Sequence, residues 1–281
     1  MKYIIMAGGD YPKWRTPRQL LEIHGEAVIA RTIRLLRAAG VTDISISSNN
    51  DAFEQLGVPV LRHENDYIGI EYNNVRGSWC NAFYQTDEPT CYIFGDVVFS
   101  PNAIRTIVGY ETDDIMLFGS KFPFAPEYPK PWIEPFAFKV FDTDHLKAAV
   151  EEVKRLDRDG RFDRRPIAWE VWNVICGGDP NTINQSYVGI NDYTCDIDYQ
   201  HEVPAIEAHV PREDRMATKK TEPKKAETKK TTKKITKKKD ESVVEYRGKL
   251  FTVMERNDDR VLLTDGTIHF WARAKDVTAA D

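Results

Sequence analysis

The chain contains no run of about 18 apolar residues, so nothing in it is long enough to cross a bilayer as a helix. It does not open with a basic stretch followed by a hydrophobic one, and no secretory leader is expected. Cysteine is scarce. Cys80, Cys91, Cys176 and Cys195 lie far apart, and none forms a CxxC pair. That spacing argues against a zinc ribbon or a disulfide framework and suits reduced thiols in a cytoplasmic protein. The most basic part of the chain lacks interleaved aromatics, which weakens any case for stacking on nucleic acid bases there.

What remains is ordinary globular material, unevenly charged. The 281 residues are 41% hydrophobic and 11% aromatic, enough for one sizeable domain and something small. The net charge of -5 hides an asymmetry. Residues 212–241 carry 13 Lys and Arg against 6 Asp and Glu, a local charge of +7. The other residues carry 26 against 38, a charge of -12. The basic segment is mostly Lys, Thr and Glu. It cannot bury enough apolar surface to offset its ordering entropy, so a disordered, Lys-rich tether is expected. Contact with nucleic acid through phosphate neutralisation is a second use for such a run, with a soluble spacer favoured. Three blocks follow: an α/β domain over 1–211, the linker over 212–241 and a small β domain over 242–281. The last block shows four or five short alternating segments divided by turns at Arg247-Gly248, Asn257-Asp258-Asp259 and Asp265-Gly266. That pattern predicts a small SH3-like β-barrel, able to bind a protein partner, oligomerise or recruit a substrate.

The N-terminal block is organised around Tyr3 to Gly25. The apolar run Tyr3-Ile4-Ile5-Met6 predicts a buried strand. The chain then passes through Gly8-Gly9 into a loop carrying Lys13, Arg15 and Arg18. Paired glycines let backbone amides approach an anion, and three cations suit a polyphosphate. A basic surface loop is the plainer alternative. An amphipathic helix follows over 27–39, with Arg31, Arg34 and Arg37 opposite its apolar side, and then strands near 41–47 and 58–61. The β-loop-α-β-α-β order predicts a doubly wound, mostly parallel sheet flanked by helices, which is Rossmann-like. Ligands of such sheets sit beyond the carboxyl ends of the strands.

Two aspartates fall at such ends. Tyr92-Ile93-Phe94 reads as a strand, broken by Gly95, with Asp96 just past it. Asp196-Ile197-Asp198 follows a second short strand. Carboxylates there could hold magnesium bridging to phosphates, or could simply accept hydrogen bonds from local backbone amides. Trp169 and Trp172 read as packing residues. The loops 62–78, 120–135 and 157–165 are expected to choose base and acceptor, with Trp132, Glu134 and Arg161 as acceptor-side candidates.

These pieces together resemble the nucleotidyltransferases that activate phosphorylated sugars or alcohols. Those include the sugar-1-phosphate, phosphocholine and molybdenum-cofactor enzymes. The family pattern is AGG, an Arg in a variable loop, then Pro- or Asp-Lys, two apolar positions and a Gly. Here it reads Ala7-Gly8-Gly9, Arg15, Pro17-Arg18, Leu20-Leu21 and Gly25. Phe94-Gly95-Asp96 matches the metal-binding Gly-Asp, and Asp196-Ile197-Asp198 resembles the late DIDTPEDL. Tyr72-Asn73-Asn74 with Ser78 is similar to the NN…S segment of the sugar and choline-phosphate branch, with one residue inserted.

The resemblance implies a sheet of the nucleotide-diphospho-sugar transferase type (GT-A-like) over about residues 1–210. It implies nucleotide contacts at Ala7, Gly8, Gly9, Asn74 and Ser78, catalytic cations at Lys13, Arg15 and Arg18, and Mg2+ on Asp96 and Asp198. The implied reaction joins NMP from a nucleoside triphosphate to a phosphorylated small-molecule acceptor and releases pyrophosphate. Two departures stand out: Arg18 replaces the usual Lys, and Tyr199-Gln200-His201 replaces Thr-Pro-Glu. Alternatives are a glycosyltransferase using Asp196-x-Asp198 with a nucleotide sugar, or a degenerate domain serving as a tethered binding module.

Overall fold

The computed structural model describes residues 1–8, 16–63, 78–121, 133–162, 166–178 and 186–212, and beyond them strands between 243 and 279. Contacts divide the chain into two compact units, Met1–Ala217 and Thr218–Asp281. Residues 213–242, which include nearly all of the Lys-rich segment, lie outside the described residues.

In the first unit β1 (Lys2–Met6) is followed by the small hairpin β2 (Glu22–Ile23) and β3 (Glu26–Ala27) and by α1 (Val28–Ala38). Next come β4 (Ile44–Ser47), β5 (Val60–Leu61), β6 (Thr90–Phe94), β7 (Val97–Val98) and α2 (Pro101–Gly109). The chain continues with β8 (Ile115–Ser120), β9 (Glu134–Val140), α3 (Thr143–Arg158) and α4 (Ala168–Ile175). It ends with β10 (Val188–Gly189), β11 (Cys195–Asp196) and α5 (Val203–His209).

Among the described residues, seven strands form one sheet in the order β10-β8-β9-β6-β1-β4-β5. β1 pairs in parallel with β4 and β6, β4 with β5, and β10 with β8. Only β9 runs the other way, between β6 and β8. The expected mostly parallel α/β sheet is therefore present. One consequence matters for function. The carboxyl ends of β1, β4, β6 and β8 share an edge with the amino end of β9, where Glu134 sits.

The central strands are buried on both faces, as continuous apolar runs require. Ile4, Ile5, Ile93, Phe118, Phe136 and Phe138 are all fully covered. Trp169 and Trp172 are buried, and Trp172 meets Phe138 edge-on at 6.1 Å, so both are core residues as expected. α1 buries Val28, Ile29, Ile33, Leu35 and Leu36. Arg31 departs from the expected solvent face. It is only 2% exposed, donating from Nε to the Phe99 carbonyl (3.2 Å) and from Nη2 to the Tyr193 hydroxyl (3.0 Å). A guanidinium can be buried at such a cost only when hydrogen-bonded in this way.

Lys139 on β9 is a second buried cation. Its ammonium donates to the carbonyls of Ile107 (3.1 Å), Val108 (2.9 Å) and Tyr110 (2.5 Å). It caps the carboxyl end of α2, while burial pushes its pKa down. All four cysteines are free, and burial pushes the Cys80 and Cys91 thiols up to about 12. No helix among the described residues is long and apolar enough to cross a membrane.

The second unit contains β12 (Val243–Tyr246), β13 (Lys249–Arg256), β14 (Arg260–Thr264), β15 (His269–Arg273) and β16 (Thr278–Ala279). They pair antiparallel in the order β15-β14-β13-β12-β16. The positions expected to turn, 247–248, 257–259 and 265–266, lie outside the described residues.

Candidate active site

The site is built at the shared edge. Ala7 is buried just past β1, and its amide donates to the Ser47 carbonyl at the end of β4 (2.9 Å). The Ser48 hydroxyl returns a bond to the Ala7 carbonyl (2.9 Å). At Gly8 a Cβ would overlap His63 Nε2, so no larger residue fits without moving that ring. His63 is itself held, its Nδ1 2.9 Å from Ser47 Oγ. Gly9, Lys13, Arg15 and Asn74 lie outside the described residues. Ser78 opens a 3-10 turn running to Ala82.

Gly95 joins β6 to β1. Its amide donates to the Met6 carbonyl at 3.0 Å, and a Cβ there would stand 2.7 Å from the same oxygen. That close approach keeps Asp96 near the end of β1.

The return of the opening loop is fixed from below. After Pro17 the chain makes a single 3-10 turn, Arg18–Leu20, and Leu21 and Ile23 enter a second small core. That core also holds Val28, Val98, Cys195, Ile197, Ile206 and Val210. Four separate segments are thus packed together beneath the site. β11 pairs antiparallel with β7, and the Ile197 amide donates to the Asp96 carbonyl (3.1 Å). Asp198 is fixed by Glu202, whose Oε2 accepts from the amides of Asp198 and Tyr199, both at 2.9 Å.

Arg18 stands at the meeting point. It is only 9% exposed. Its Nη2 is 2.8 Å from Asp96 Oδ2, its Nη1 donates to the Ile197 carbonyl at 2.7 Å, and Nη1 is 3.7 Å from Asp198 Oδ1. Arg18, Asp96 and Asp198, proposed from three distant stretches of sequence, are therefore together. Beside them the carboxylates of Glu134, Asp196 and Asp198 present oxygens within 4.8 Å of one another. Three carboxylates with no nitrogen or sulfur suit magnesium, a hard cation that prefers oxygen.

The sequence places Glu134 on the acceptor side and offers Asp196 as a ligand only in the glycosyltransferase alternative, whereas here both carboxylates stand beside Asp198. Sequence reasoning missed Glu202, whose carboxylate reaches back three positions to the Tyr199 amide, as the Glu of a capping box does. His63 carried no sequence signal, because its role depends on a contact with Gly8 across the fold. Of the other acceptor-side candidates, Trp132 lies outside the described residues and Arg161 is exposed beyond α3.

No curated protein sequence matches the chain significantly. Among solved structures, one from Bacillus anthracis assigned as a glucose-1-phosphate thymidylyltransferase, in complex with a sucrose, aligns with 74% of this chain and 94% of its own. The two are 17% identical with a TM-score of 0.50, a likeness of fold. The inositol-1-phosphate CTP transferase from T. maritima aligns over 74% of this chain and 95% of its own, at 14% identity and a TM-score of 0.45. Residues 3–161, more than half of the chain, match the MobA-like NTP transferase domain, and the chain belongs to that family.

Proposed function

We propose that the protein is a magnesium-dependent nucleotidyltransferase that moves NMP from a nucleoside triphosphate to a phosphorylated sugar or alcohol. The observation that carries this reading is the convergence of Gly8, Arg18, Asp96, Asp198 and Glu134 on one edge of the sheet. The amides near Gly8 and Gly9, with Lys13 and Arg15, grip the triphosphate. Asp198, Glu134 and Asp196 would hold magnesium, which when bound would offset the negative charge on the α-phosphate. Asp96 faces this group across Arg18. The acceptor is the phosphorylated sugar or alcohol. Its phosphate oxygen attacks the α-phosphorus in line. The bond to the β-phosphate oxygen breaks, and pyrophosphate leaves with that electron pair. No covalent enzyme intermediate is needed, so the protein contributes positioning and charge stabilisation.

Two measurements test this reading. Nucleoside triphosphates with magnesium are screened for thermal stabilisation. The one that binds is then offered with a panel of sugar and alcohol phosphates, and pyrophosphate is measured. Pyrophosphate should appear together with a nucleotide-linked acceptor, and Asp198→Asn should slow it by about 100-fold or more, the scale of losing a transition-state charge partner. Release of nucleoside diphosphate from a nucleotide sugar, without pyrophosphate, would establish a glycosyltransferase instead.

A further inference from the structure

We propose that Arg18 is a fixed internal counter-cation that withholds Asp96 from the divalent cation. The proposal rests on the nucleotidyltransferase reading for the identity of the cation, and its test does not need catalysis. The resemblance leads one to expect Asp96 and Asp198 as joint ligands. Both carboxylates are present at the site, but each stands against the same guanidinium.

Its position is set by geometry. A magnesium ion needs carboxylate oxygens at about 2.0–2.1 Å. An ion bound by both Asp96 and Asp198 must therefore fall in the space between their facing oxygens. The Arg18 guanidinium reaches both carboxylates, with Nη2 2.8 Å from Asp96 Oδ2 and Nη1 3.7 Å from Asp198 Oδ1, so a shared ion would have to compete with it for those oxygens. Like charges at such range repel, and the Arg18 side chain is itself largely shielded from solvent. The guanidinium is not merely passing through. Its side chain is 10% exposed, and Nη1 is bound to the Ile197 carbonyl at 2.7 Å. Moving it aside would strip a donor from that carbonyl and leave Asp96 with an uncompensated charge.

The fork is also suited to this task in a way that lysine is not. One guanidinium reaches the turn after β6 and the segment after β11 with different nitrogens. A single ammonium offers its donors from one point and cannot span both in the same way. Arg18 thus ties together the two segments that carry the site's aspartates. Asp96 acts through Arg18 as a positioning residue. The cation is left to Asp198 with Glu134 and Asp196, whose oxygens lie within 4.8 Å of one another.

Manganese binding to the full-length, nucleotide-free chain tests this, read by electron paramagnetic resonance of the free ion. The proteins compared are the unaltered chain, Arg18→Gln and the double variant Arg18→Gln with Asp96→Asn. Arg18→Gln should bind manganese at least tenfold more tightly than the unaltered chain, because Asp96 becomes available. The double variant should lose that gain. The proposal is overturned if Arg18→Gln binds no more tightly, or if its gain survives Asp96→Asn. If Arg18→Gln does not fold, as judged by circular dichroism, Asp96→Asn alone decides. Manganese affinity within twofold of the unaltered chain supports the proposal, and a larger loss overturns it. A chain that releases no pyrophosphate would still give a clear answer, so the two readings can fail separately.

Discussion

At Gly8 two requirements meet that a single substitution would confuse. The sequence suggests a glycine there because a phosphate must come close to the backbone. The structure adds a neighbour, the His63 ring, which a Cβ would strike. Gly8→Ala should therefore destabilise the first unit by about 1–3 kcal/mol, the usual cost of forcing extra volume into a packed position. Adding His63→Ala should recover most of that loss in a denaturant titration. Nucleotide affinity should stay weakened in the double variant if the phosphate also needs the space. Full recovery of both would leave the glycine with a packing role alone. The residue-scale lesson follows from this pair. Gly8, Arg18, Asp96 and Asp198 could be picked out because their residue types and flanking strands signal chemistry locally. His63 and the partners of Arg18 could not, since each depends on a contact across the fold. The Arg18–Asp198 pair, for example, joins positions 180 residues apart.

Among elements, the segment from β11 into α5 matters most, and there the sequence was read only in part. Replacement of the expected Thr-Pro-Glu by Tyr199-Gln200-His201 weakens the resemblance around Asp198. Glu202, one position further on, supplies the missing order by accepting two amide bonds. It is 7% exposed, so these charge-assisted bonds are shielded from water. Glu202→Ala should cost about 1.5–3 kcal/mol, the range for a hydrogen bond to a charged group. It should also lower turnover more than it raises KM for the triphosphate, because it frees Asp198 rather than removing a substrate contact. A stable variant with unchanged turnover would show that the cap plays no part in aligning the site. The strands and α1 were legible because apolar runs and helical periodicity are set by the core they face. Arg31 was misplaced for the same reason: periodicity counts charge as outward, while Phe99 and Tyr193 offered it buried partners. β7 and β11 were harder to see. Each is two residues long, and their pairing comes from the small core beneath them rather than from any strand-length pattern.

At the scale of the whole chain, composition suggests three blocks and contacts divide the molecule into two units. The expected boundaries at 211 and 242 bracket a Lys-rich stretch, and contacts cluster into Met1–Ala217 and Thr218–Asp281. The described site residues, from Gly8 to Asp198, all belong to the first unit. The second unit's described strands lie within a stretch near the lower size limit for independent folding, so a small unfolding enthalpy is expected there. Calorimetry of the intact chain should therefore resolve a large and a small transition. A nucleoside triphosphate with magnesium at about 100 times its Kd stabilises the state that binds it by about 2.7 kcal/mol. For a unit of about 200 residues that should raise its transition by about 5–10 °C. The large transition should move and the small one should stay. Asp198→Asn should shrink the shift, since it removes a carboxylate from the cation site. A single transition that moves as one would mean the two units unfold cooperatively. A shift confined to the small transition would place nucleotide binding on the C-terminal strands and remove the basis for assigning the site to the edge of the seven-stranded sheet.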